Sequence, residues 1–304
     1  MFLFKDIIGN KKIISGLRSA IQIKKIFHSY IFYGENGLGK SLIANCFAKF
    51  IQCENKGEEA CDICYSCESF NSQNNPDIIY VRPSKTKSIG VDDIREQVCS
   101  QAELKPYVCP HKIFIIDNAD EMTVQAQNAL LKILEEPPEY LIFILIGERL
   151  DNFLSTIISR CVKINIKPVE DDLIKKYLKD IGIKDDNLVD DLSQYSHGNI
   201  GKALALVNNK NFIDMRKEIF DLLEKIDKSN PAEALTLVSE LEKFKDDFNL
   251  VLDIIYFWYY NLPVRDFNNI YNKLKAIDKA KKYLVYNTNF KMILNTMLLE
   301  ISGG

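Results

Sequence analysis

The sequence lacks the features of an exported, membrane-spanning or independently nucleic-acid-binding protein. Among its 304 residues, 39 lysines and arginines are outnumbered by 42 aspartates and glutamates, so no basic excess favours autonomous binding to DNA or RNA. The N-terminal segment MFLFKDIIGNKK meets charge too early for a signal peptide, and the apolar run IIYFWYYNLPV is too short to span a membrane. We therefore expect a cytoplasmic protein with no membrane partner, whose nucleic-acid contacts would come from a local patch or from partner subunits.

Internal repeats, coiled-coil heptads and low-complexity tails are also missing. Histidine is scarce: His28, His111 and His197 have no ligand spacing, and we assign them no metal role. What remains is an ordinary globular composition, 47% hydrophobic and 27% charged, in a chain long enough for two or three domains. Any specific function has to come from local motifs.

The first half of the chain alternates between apolar runs and helical patterns. Strands are predicted at His28–Gly34, Asp77–Pro83, His111–Asp117, Tyr140–Gly147 and, more weakly, Cys161–Pro168. Helical patterns cover Ser41–Gln52, Val91–Leu104 and Met122–Glu136, and Pro137-Pro138 ends the last of them. Continuous apolar strands that alternate with helices predict a doubly wound α/β domain with a parallel sheet.

Beyond Pro168 the sequence predicts helices only. We predict an α/β domain over residues 1–166, a small helical domain over 167–208 and an all-α C-terminal domain over 209–304. Ser229-Asn230-Pro231 has the pattern of a helix start, with proline in the first turn. The aromatic-rich stretch VLDIIYFWYYNL is more typical of a helical core than of a binding site.

A phosphate-binding loop is predicted between the first strand and its following helix. The sequence GENGLGKS matches G-x-x-x-x-G-K-[ST] in full, over Gly34, Glu35, Asn36, Gly37, Leu38, Gly39, Lys40 and Ser41. Its glycines let the backbone turn so that amide groups point at phosphate oxygens, and the helix start adds its dipole. Lys40 is expected to reach the β- and γ-phosphates of ATP or ADP, and Ser41 to hold Mg²⁺.

Four cysteines lie within fifteen residues, at Cys53, Cys61, Cys64 and Cys67. Their spacing, C-x7-C-x2-C-x2-C, is that of thiolates on tight turns that share one cation, and four thiolates complete a tetrahedral Zn²⁺ shell. Because such a shell leaves no open position for water, the zinc would be structural. Chance clustering of buried thiols is the alternative. The other four cysteines, which lie singly, are expected in the core: Cys46, Cys99, Cys109 and Cys161.

The stretch FIIDNADEM ends a strand with Asp117, where a carboxylate could coordinate Mg²⁺ opposite the phosphate loop. Asn118 follows, and its amide cannot accept a proton from an attacking water at neutral pH. Asp120 and Glu121 begin the next helix and are expected to point elsewhere. On chemistry alone, ATP hydrolysis by this chain should be slow or absent.

Arg160, in the stretch STIISRC, precedes the fifth strand. A guanidinium there could reach the γ-phosphate of ATP in a neighbouring subunit as an arginine finger. An ordinary surface arginine is the alternative, and composition alone favours it.

The order of these motifs, with QNALLKILEEPP between the acid strand and TIISRC, resembles the clamp-loader ATPase family of bacterial replication within the AAA+ superfamily. The resemblance extends over essentially the whole chain. It implies a zinc module around residues 53–67, a small helical domain over 167–208 that acts as the lid, and a C-terminal collar domain over 209–304. It also implies a DNA polymerase III hetero-pentamer with tau/gamma and delta subunits, acting on a sliding clamp and primed DNA in the replisome, with Arg160 directed at the ATP of the adjacent subunit.

Departures from the family pattern favour a delta-prime-like member over a tau/gamma-type ATPase. Asn118 stands where the motor subunits keep a glutamate, and the chain stops at Gly304 without their usual extension. The first sensor position falls near Gly147-Glu148 and the second near Gly201-Lys202, and neither carries the family residue. A tau/gamma-type ATPase stays an alternative, as does, less favoured, a zinc-dependent nucleic-acid-binding module that inherited a phosphate loop.

Overall fold

A computed structural model describes residues 2–55, 57–84, 88–209, 211–227, 236, 238–262, 267–285 and 289–302. The chain divides into two compact units, Met1–Lys202 and Ala203–Gly304. The predicted start at Ser229-Asn230-Pro231 lies outside the described residues. The division into three domains at residues 166 and 208 stays a prediction.

The first unit contains a five-stranded, wholly parallel sheet. Its strands are β1 (Ser29–Tyr33), β2 (Ile78–Val81), β3 (Lys112–Ile116), β4 (Leu141–Gly147) and β5 (Val162–Asn165). Their spatial order is β2-β3-β4-β1-β5, and every adjacent pair is parallel. Each predicted apolar run contains one of these strands, so the predicted strands and the parallel α/β sheet are confirmed.

Helices precede, connect and follow the strands. They are α1 (Lys11–Gln22), α2 (Lys40–Gln52), α3 (Tyr65–Asn71), α4 (Val91–Ile94), α5 (Ser100–Ala102), α6 (Val124–Glu135), α7 (Ser155–Ile158), α8 (Asp171–Asp180), α9 (Asp186–Ser196) and α10 (Ile200–Asn208). The predicted helix over Val91–Leu104 is interrupted: a π-helical segment, Arg95–Cys99, joins α4 to α5. The prediction for Asp120 and Glu121 was wrong in one respect, because they form a separate 3₁₀ turn, Ala119–Glu121, and α6 begins only after the N-cap Thr123.

Both faces of the central strands β1, β3 and β4 are buried, as their continuous apolar sequences require, whereas the edge strand β5 exposes Lys163 and Asn165. On β3, Ile113 and Ile115 pack with the core on one face, whereas Phe114 and Ile116 pack with the core on the other. Phe114 stacks on Phe143 of β4 with ring centroids 5.1 Å apart. Because parallel strands end at a common edge, and β4 lies between β1 and β3, the segments that follow these three strands meet at one edge of the sheet.

The described part of the second unit is helical. After α10 it contains α11 (Phe212–Ile226), α12 (Val238–Glu242), α13 (Phe248–Tyr260), α14 (Phe267–Val285) and α15 (Phe290–Ser302). The aromatic-rich stretch forms α13, and Leu252, Ile254, Ile255 and Tyr259 are fully buried in it. Its predicted role as core is therefore confirmed. Over the described residues, no helix combines the length and apolar character needed to cross a membrane.

Candidate functional site

The predicted phosphate loop lies between β1 and α2, at the carboxyl edge of the sheet. Three of its glycines have positive φ angles: 143° at Gly34, 87° at Gly37 and 83° at Gly39. Residues other than glycine rarely adopt these backbone conformations, so the three glycines allow the chain to turn this tightly into α2. The start of α2 adds unpaired backbone N–H groups and the positive end of the helix dipole, which favour an anion.

Lys40, the first residue of α2, folds back over the loop. Its Nζ donates hydrogen bonds to the carbonyl oxygens of Gly34 and Glu35, at 2.7 and 2.9 Å, and lies 3.3 Å from Oδ1 of Asn36. The side chain is buried, and burial lowers the pKa of Lys40. The ammonium group is thus held over the loop by neutral acceptors that a bound phosphate could replace.

Asp117 follows β3 and faces the loop across β4. Its Oδ2 accepts a hydrogen bond from Oγ of Ser41 at 3.0 Å. The structure therefore brings together a hydroxyl and a carboxylate of the kind that hold Mg²⁺ in phosphate-loop proteins. Asn118, at φ 50°, donates its backbone N–H to Oδ1 of Asp117 at 3.0 Å. Oxygen ligands and a phosphate cradle are present at this edge, and an amide stands at the position after the aspartate.

Asp120 is directed at the end of β4. Its Oδ2 accepts hydrogen bonds from the backbone N–H groups of Glu148 and Arg149, at 2.9 and 3.1 Å. The carboxylate is buried and engaged in fixing the turn after β4. The expectation that Asp120 points elsewhere is therefore confirmed, and it is not placed as a general base.

Glu148 contributes a contact that sequence reasoning missed. It is the first residue after β4, and its Oε2 lies 3.4 Å from Nδ2 of Asn36 in the phosphate loop. Burial has the largest effect on the pKa of Lys40 and lowers it, and among the acidic groups that act to raise this pKa Glu148 has the largest effect, followed by Asp117. The sequence placed the first sensor position near Gly147-Glu148, but the contact with Asn36 depends on the order of the strands, which the sequence does not specify.

The start of α10 and the residue before it pack against the phosphate loop, a second contact that sequence reasoning missed. Nδ2 of Asn199 donates to the carbonyl oxygen of Asn36 at 2.6 Å, and the N–H of Gly201 donates to the carbonyl oxygen of Gly37 at 2.9 Å. A Cβ on Gly201 would come within 2.6 Å of the Gly37 Cα. Two glycines therefore permit the backbones to touch, and the contact braces the loop through its carbonyl groups.

Replacing Gly201 by alanine should destabilise the protein. The new methyl group would meet backbone atoms of Gly37, which cannot move aside as a side chain can, so we expect a loss of about 1–3 kcal/mol in the free energy of unfolding. Urea unfolding measures the change. Gly16→Ala is the matched control, because Gly16 lies within α1 with open space around its Cα, and alanine there should stabilise by roughly 0.5–1 kcal/mol. An unchanged free energy of unfolding in Gly201→Ala would show that the close contact does not persist in solution.

A cavity of about 550 Å³ lies beside the segment that follows β5. Its lining includes Asn10 and Ile13 from the N-terminal region and Val169 and Leu173 from the start of the helical region. The same segment runs along the phosphate loop, since a Cβ on Gly34 would approach the carbonyl oxygen of Ile166 to 2.4 Å. Polar and apolar residues together line this cavity, and the segment that forms one of its sides also contacts the phosphate loop at Gly34.

The four clustered cysteines converge. The Sγ atoms of Cys53, Cys61, Cys64 and Cys67 all lie within 4.8 Å of one another. Four thiolates around Zn²⁺, with Zn–S distances of about 2.3 Å at tetrahedral angles, are about 3.8 Å apart, so the donors fit a metal ion of this size. Burial acts to raise the pKa of Cys61, but the N–H groups of Ile63 and Cys64 bring it down to about 6. The cluster could bind a metal ion.

This cysteine module is anchored to α2, the helix that follows the phosphate loop. Lys49 of α2 is fully buried and forms an ion pair with Asp62, which lies between Cys61 and Cys64. Nζ of Lys49 also donates to Oδ1 of Asn71 in α3 at 2.8 Å. The module and the phosphate-loop helix therefore share one buried charged contact.

The remaining cysteines lie apart from the cluster. Cys46, Cys109 and Cys161 are buried, as predicted for core residues, and Cys99 is half-buried. Burial raises the pKa of Cys161 to about 11, which keeps this thiol protonated at neutral pH.

Arg160 lies directly before β5 and is partly exposed. Its guanidinium donates to Oε1 of Glu135 at 2.9 Å and to the carbonyl oxygen of Thr156 at 2.8 Å. Two contacts thus fix its orientation within its own chain. An ion pair this exposed contributes little to stability, so the guanidinium can be redirected to another anion at small cost.

Three relatives illustrate the similarity of this chain to known proteins. It is 28% identical to DNA polymerase III subunit gamma of Buchnera aphidicola, over 89% of this chain and 81% of that protein. It is 30% identical to subunit gamma/tau of Mycoplasma genitalium over 98% of this chain, but spans only 51% of that protein. It is 31% identical to subunit delta' of Bacillus subtilis over 70% of this chain and 64% of that protein.

A family model described as "DNA polymerase III, delta subunit" matches residues 9–170. This range holds the phosphate loop, the cysteine cluster, the acid strand and Arg160, and it is more than half of the chain. All three relatives are named as subunits of DNA polymerase III. The chain therefore belongs to the DNA polymerase III delta-subunit family, the clamp-loader family of AAA+ proteins.

Proposed function

We propose that this chain is a delta-prime-like subunit of the DNA polymerase III clamp loader. In this role it helps to place the sliding clamp on primed DNA, in a hetero-pentamer with tau/gamma and delta subunits. The observation that carries the proposal is the pairing of Ser41 with Asp117 beside Asn118, in a member of this family. The groups that bind nucleotide are present, whereas the group that would deprotonate water is replaced by an amide.

The phosphate loop is proposed to bind a nucleotide with Mg²⁺. Lys40 would exchange its contacts with loop carbonyls for phosphate oxygens, and Ser41 and Asp117 would hold the metal. The cavity of about 550 Å³ next to the loop offers space for the base and sugar. Bound nucleotide would then serve to stabilise the subunit in its assembly.

The metal at the cysteine cluster is proposed to be Zn²⁺ in a structural role. All four positions of a tetrahedral ion are satisfied by thiolates, which leaves no site for substrate or water. The buried pair between Lys49 and Asp62 then joins the zinc module to α2. The module thereby stabilises the helix on which the phosphate loop depends.

Arg160 is proposed to act on the ATP of a neighbouring motor subunit. The supporting observations are a partly exposed guanidinium and a weak ion pair with Glu135 that can be exchanged for a phosphate. The planar group suits bidentate contact with phosphate oxygens. The catalysis that this chain serves is therefore its neighbour's.

Hydrolysis assays separate this function from that of a tau/gamma-type motor. We expect the purified chain to hydrolyse ATP no faster than its Lys40→Ala variant, because Asn118 cannot act as the base. Lys40→Ala should still weaken nucleotide binding by at least about tenfold, since the loop loses its one lysine. Calorimetric titration measures binding, and phosphate release measures turnover, for the chain alone and in the reconstituted ring.

The two alternatives have distinct signatures in the same experiments. Turnover by this chain that disappears in Lys40→Ala would contradict the stationary role and identify a tau/gamma-type motor. Tight, salt-sensitive binding of DNA by the isolated chain would instead support a zinc-dependent nucleic-acid-binding module. The net charge of −3 argues against the latter.

A further inference from the structure

A second carboxylate lies beside the phosphate loop in addition to Asp117. It belongs to Glu148, which follows β4, the strand that lies between β1 before the loop and β3 before Asp117. Its carboxylate reaches Asn36 of the loop, at 3.4 Å from Nδ2. The backbone N–H of Glu148 is fixed by Asp120, which holds the residue at this position.

The two carboxylates beside the phosphate loop, Asp117 and Glu148, differ in what they contact. Asp117 contacts Ser41, and a Mg²⁺ ion held by that pair would offset its charge. Glu148 contacts the loop itself, through an amide that donates a single long hydrogen bond. A nucleotide would therefore bring its phosphates toward a fixed negative charge that the metal-binding pair does not neutralise.

The consequences differ between diphosphate and triphosphate. The amides of the loop and the start of α2 hold the phosphates that lie deepest, and the lysine of such a loop reaches the β- and γ-phosphates. A γ-phosphate adds negative charge at the end where Glu148 and Asp117 lie, whereas a diphosphate adds none there. Like charges repel over these distances even with partial screening by solvent.

We infer that the phosphate loop of this chain is a nucleoside diphosphate site, and that Glu148 sets its preference for diphosphate over triphosphate. The inference rests on the proposed nucleotide binding and adds the class of ligand. The chain would then keep a bound diphosphate while its neighbours alternate between bound triphosphate and bound diphosphate. Glu148 is exposed and its main-chain contact does not depend on its side chain, so the residue can be changed without disturbing the fold.

Titration of ADP and ATP, each with Mg²⁺, into the full chain and its Glu148→Gln variant tests the inference. We expect the wild-type chain to bind ADP at least about tenfold more tightly than ATP, and Glu148→Gln to reduce that ratio to about threefold or less by tightening ATP. Glu139→Gln is the matched control, because it removes the same charge from an exposed glutamate at the opposite end of β4, and it should leave the ratio unchanged.

Three results would overturn the inference: equal affinity for ADP and ATP in the wild-type chain, an equal change for both nucleotides in Glu148→Gln, or no binding of either. None of them decides the proposed clamp-loader role. That role is measured separately through Arg160, by ATP hydrolysis on the neighbouring subunit, a reaction that does not require selectivity at this chain's own loop.

Discussion

Replacing Arg160 by alanine should lower ATP hydrolysis on the adjacent motor subunit at least about a hundredfold, while the ring still assembles. An arginine supplied in trans stabilises the charge that develops on the transferred phosphoryl group, and its loss affects the chemical step rather than nucleotide binding. The guanidinium is partly exposed, so its removal leaves no buried group unpaired. The fold and the ring should therefore survive the change.

The assay should isolate one active site. In a ring where only the motor subunit adjacent to Arg160 keeps an intact phosphate loop, DNA-stimulated phosphate release reports the affected site alone. Arg160→Lys keeps the positive charge but loses the planar fork, and should recover little of the activity. Arg95→Ala is a suitable control, because it removes the same positive charge from an exposed arginine whose 3.8 Å contact with Asp92 is a weak surface ion pair.

Unchanged hydrolysis in the Arg160→Ala ring would contradict the role in trans and leave Arg160 with the contacts to Glu135 and Thr156 in its own chain. A loss of hydrolysis together with a loss of assembly would instead make Arg160 an interface residue. The Glu135 contact is weak, because exposed ion pairs contribute about 0.2–1 kcal/mol, whereas an arginine finger lowers the activation free energy of hydrolysis by several kcal/mol. The guanidinium should therefore leave Glu135 and bind the neighbour's ATP.

The fold was predictable where the sequence pattern is local. Continuous apolar runs gave β3 and β4, and the glycine-rich motif gave the turn between β1 and α2, because strand burial and positive φ angles depend on residues a few positions apart. The spacing of the four cysteines likewise anticipated the cluster that the structure brings together. Interruption of the predicted helix by the π-helical segment Arg95–Cys99 had no such local signal.

The contacts that brace the site could not be predicted in the same way. Asn199 meets Asn36 across 163 positions of sequence, and Glu148 meets it across 112. Such pairs depend on strand order and on how the helices pack, which apolar periodicity does not specify. Lys49 is a clearer case: a lysine within a helical pattern is expected on the surface, yet the helix buries it against Asp62.

Removing the metal from the cysteine cluster should destabilise the first unit by several kcal/mol. Binding of a structural Zn²⁺ contributes directly to folding free energy, because the unfolded chain does not hold the four thiolates together. We expect Cys64→Ser to abolish bound zinc, measured by elemental analysis, and to lower the free energy of unfolding by about 3 kcal/mol or more. Cys99→Ser, at a half-buried cysteine outside the cluster, should retain zinc and change stability by less than about 1 kcal/mol.

The effect should extend beyond the module itself. Lys49 is buried and paired with Asp62, and Asp62 lies in sequence between two of the ligands, Cys61 and Cys64. If loss of zinc releases Asp62, the buried ammonium loses its charged partner and keeps only the neutral Asn71, so α2 should open more often. Hydrogen exchange at the amides of α2 should then accelerate in Cys64→Ser and on treatment with a zinc chelator, but not in Cys99→Ser. Faster exchange confined to the cysteine module, with α2 unchanged, would show that the zinc site does not support the phosphate-loop helix.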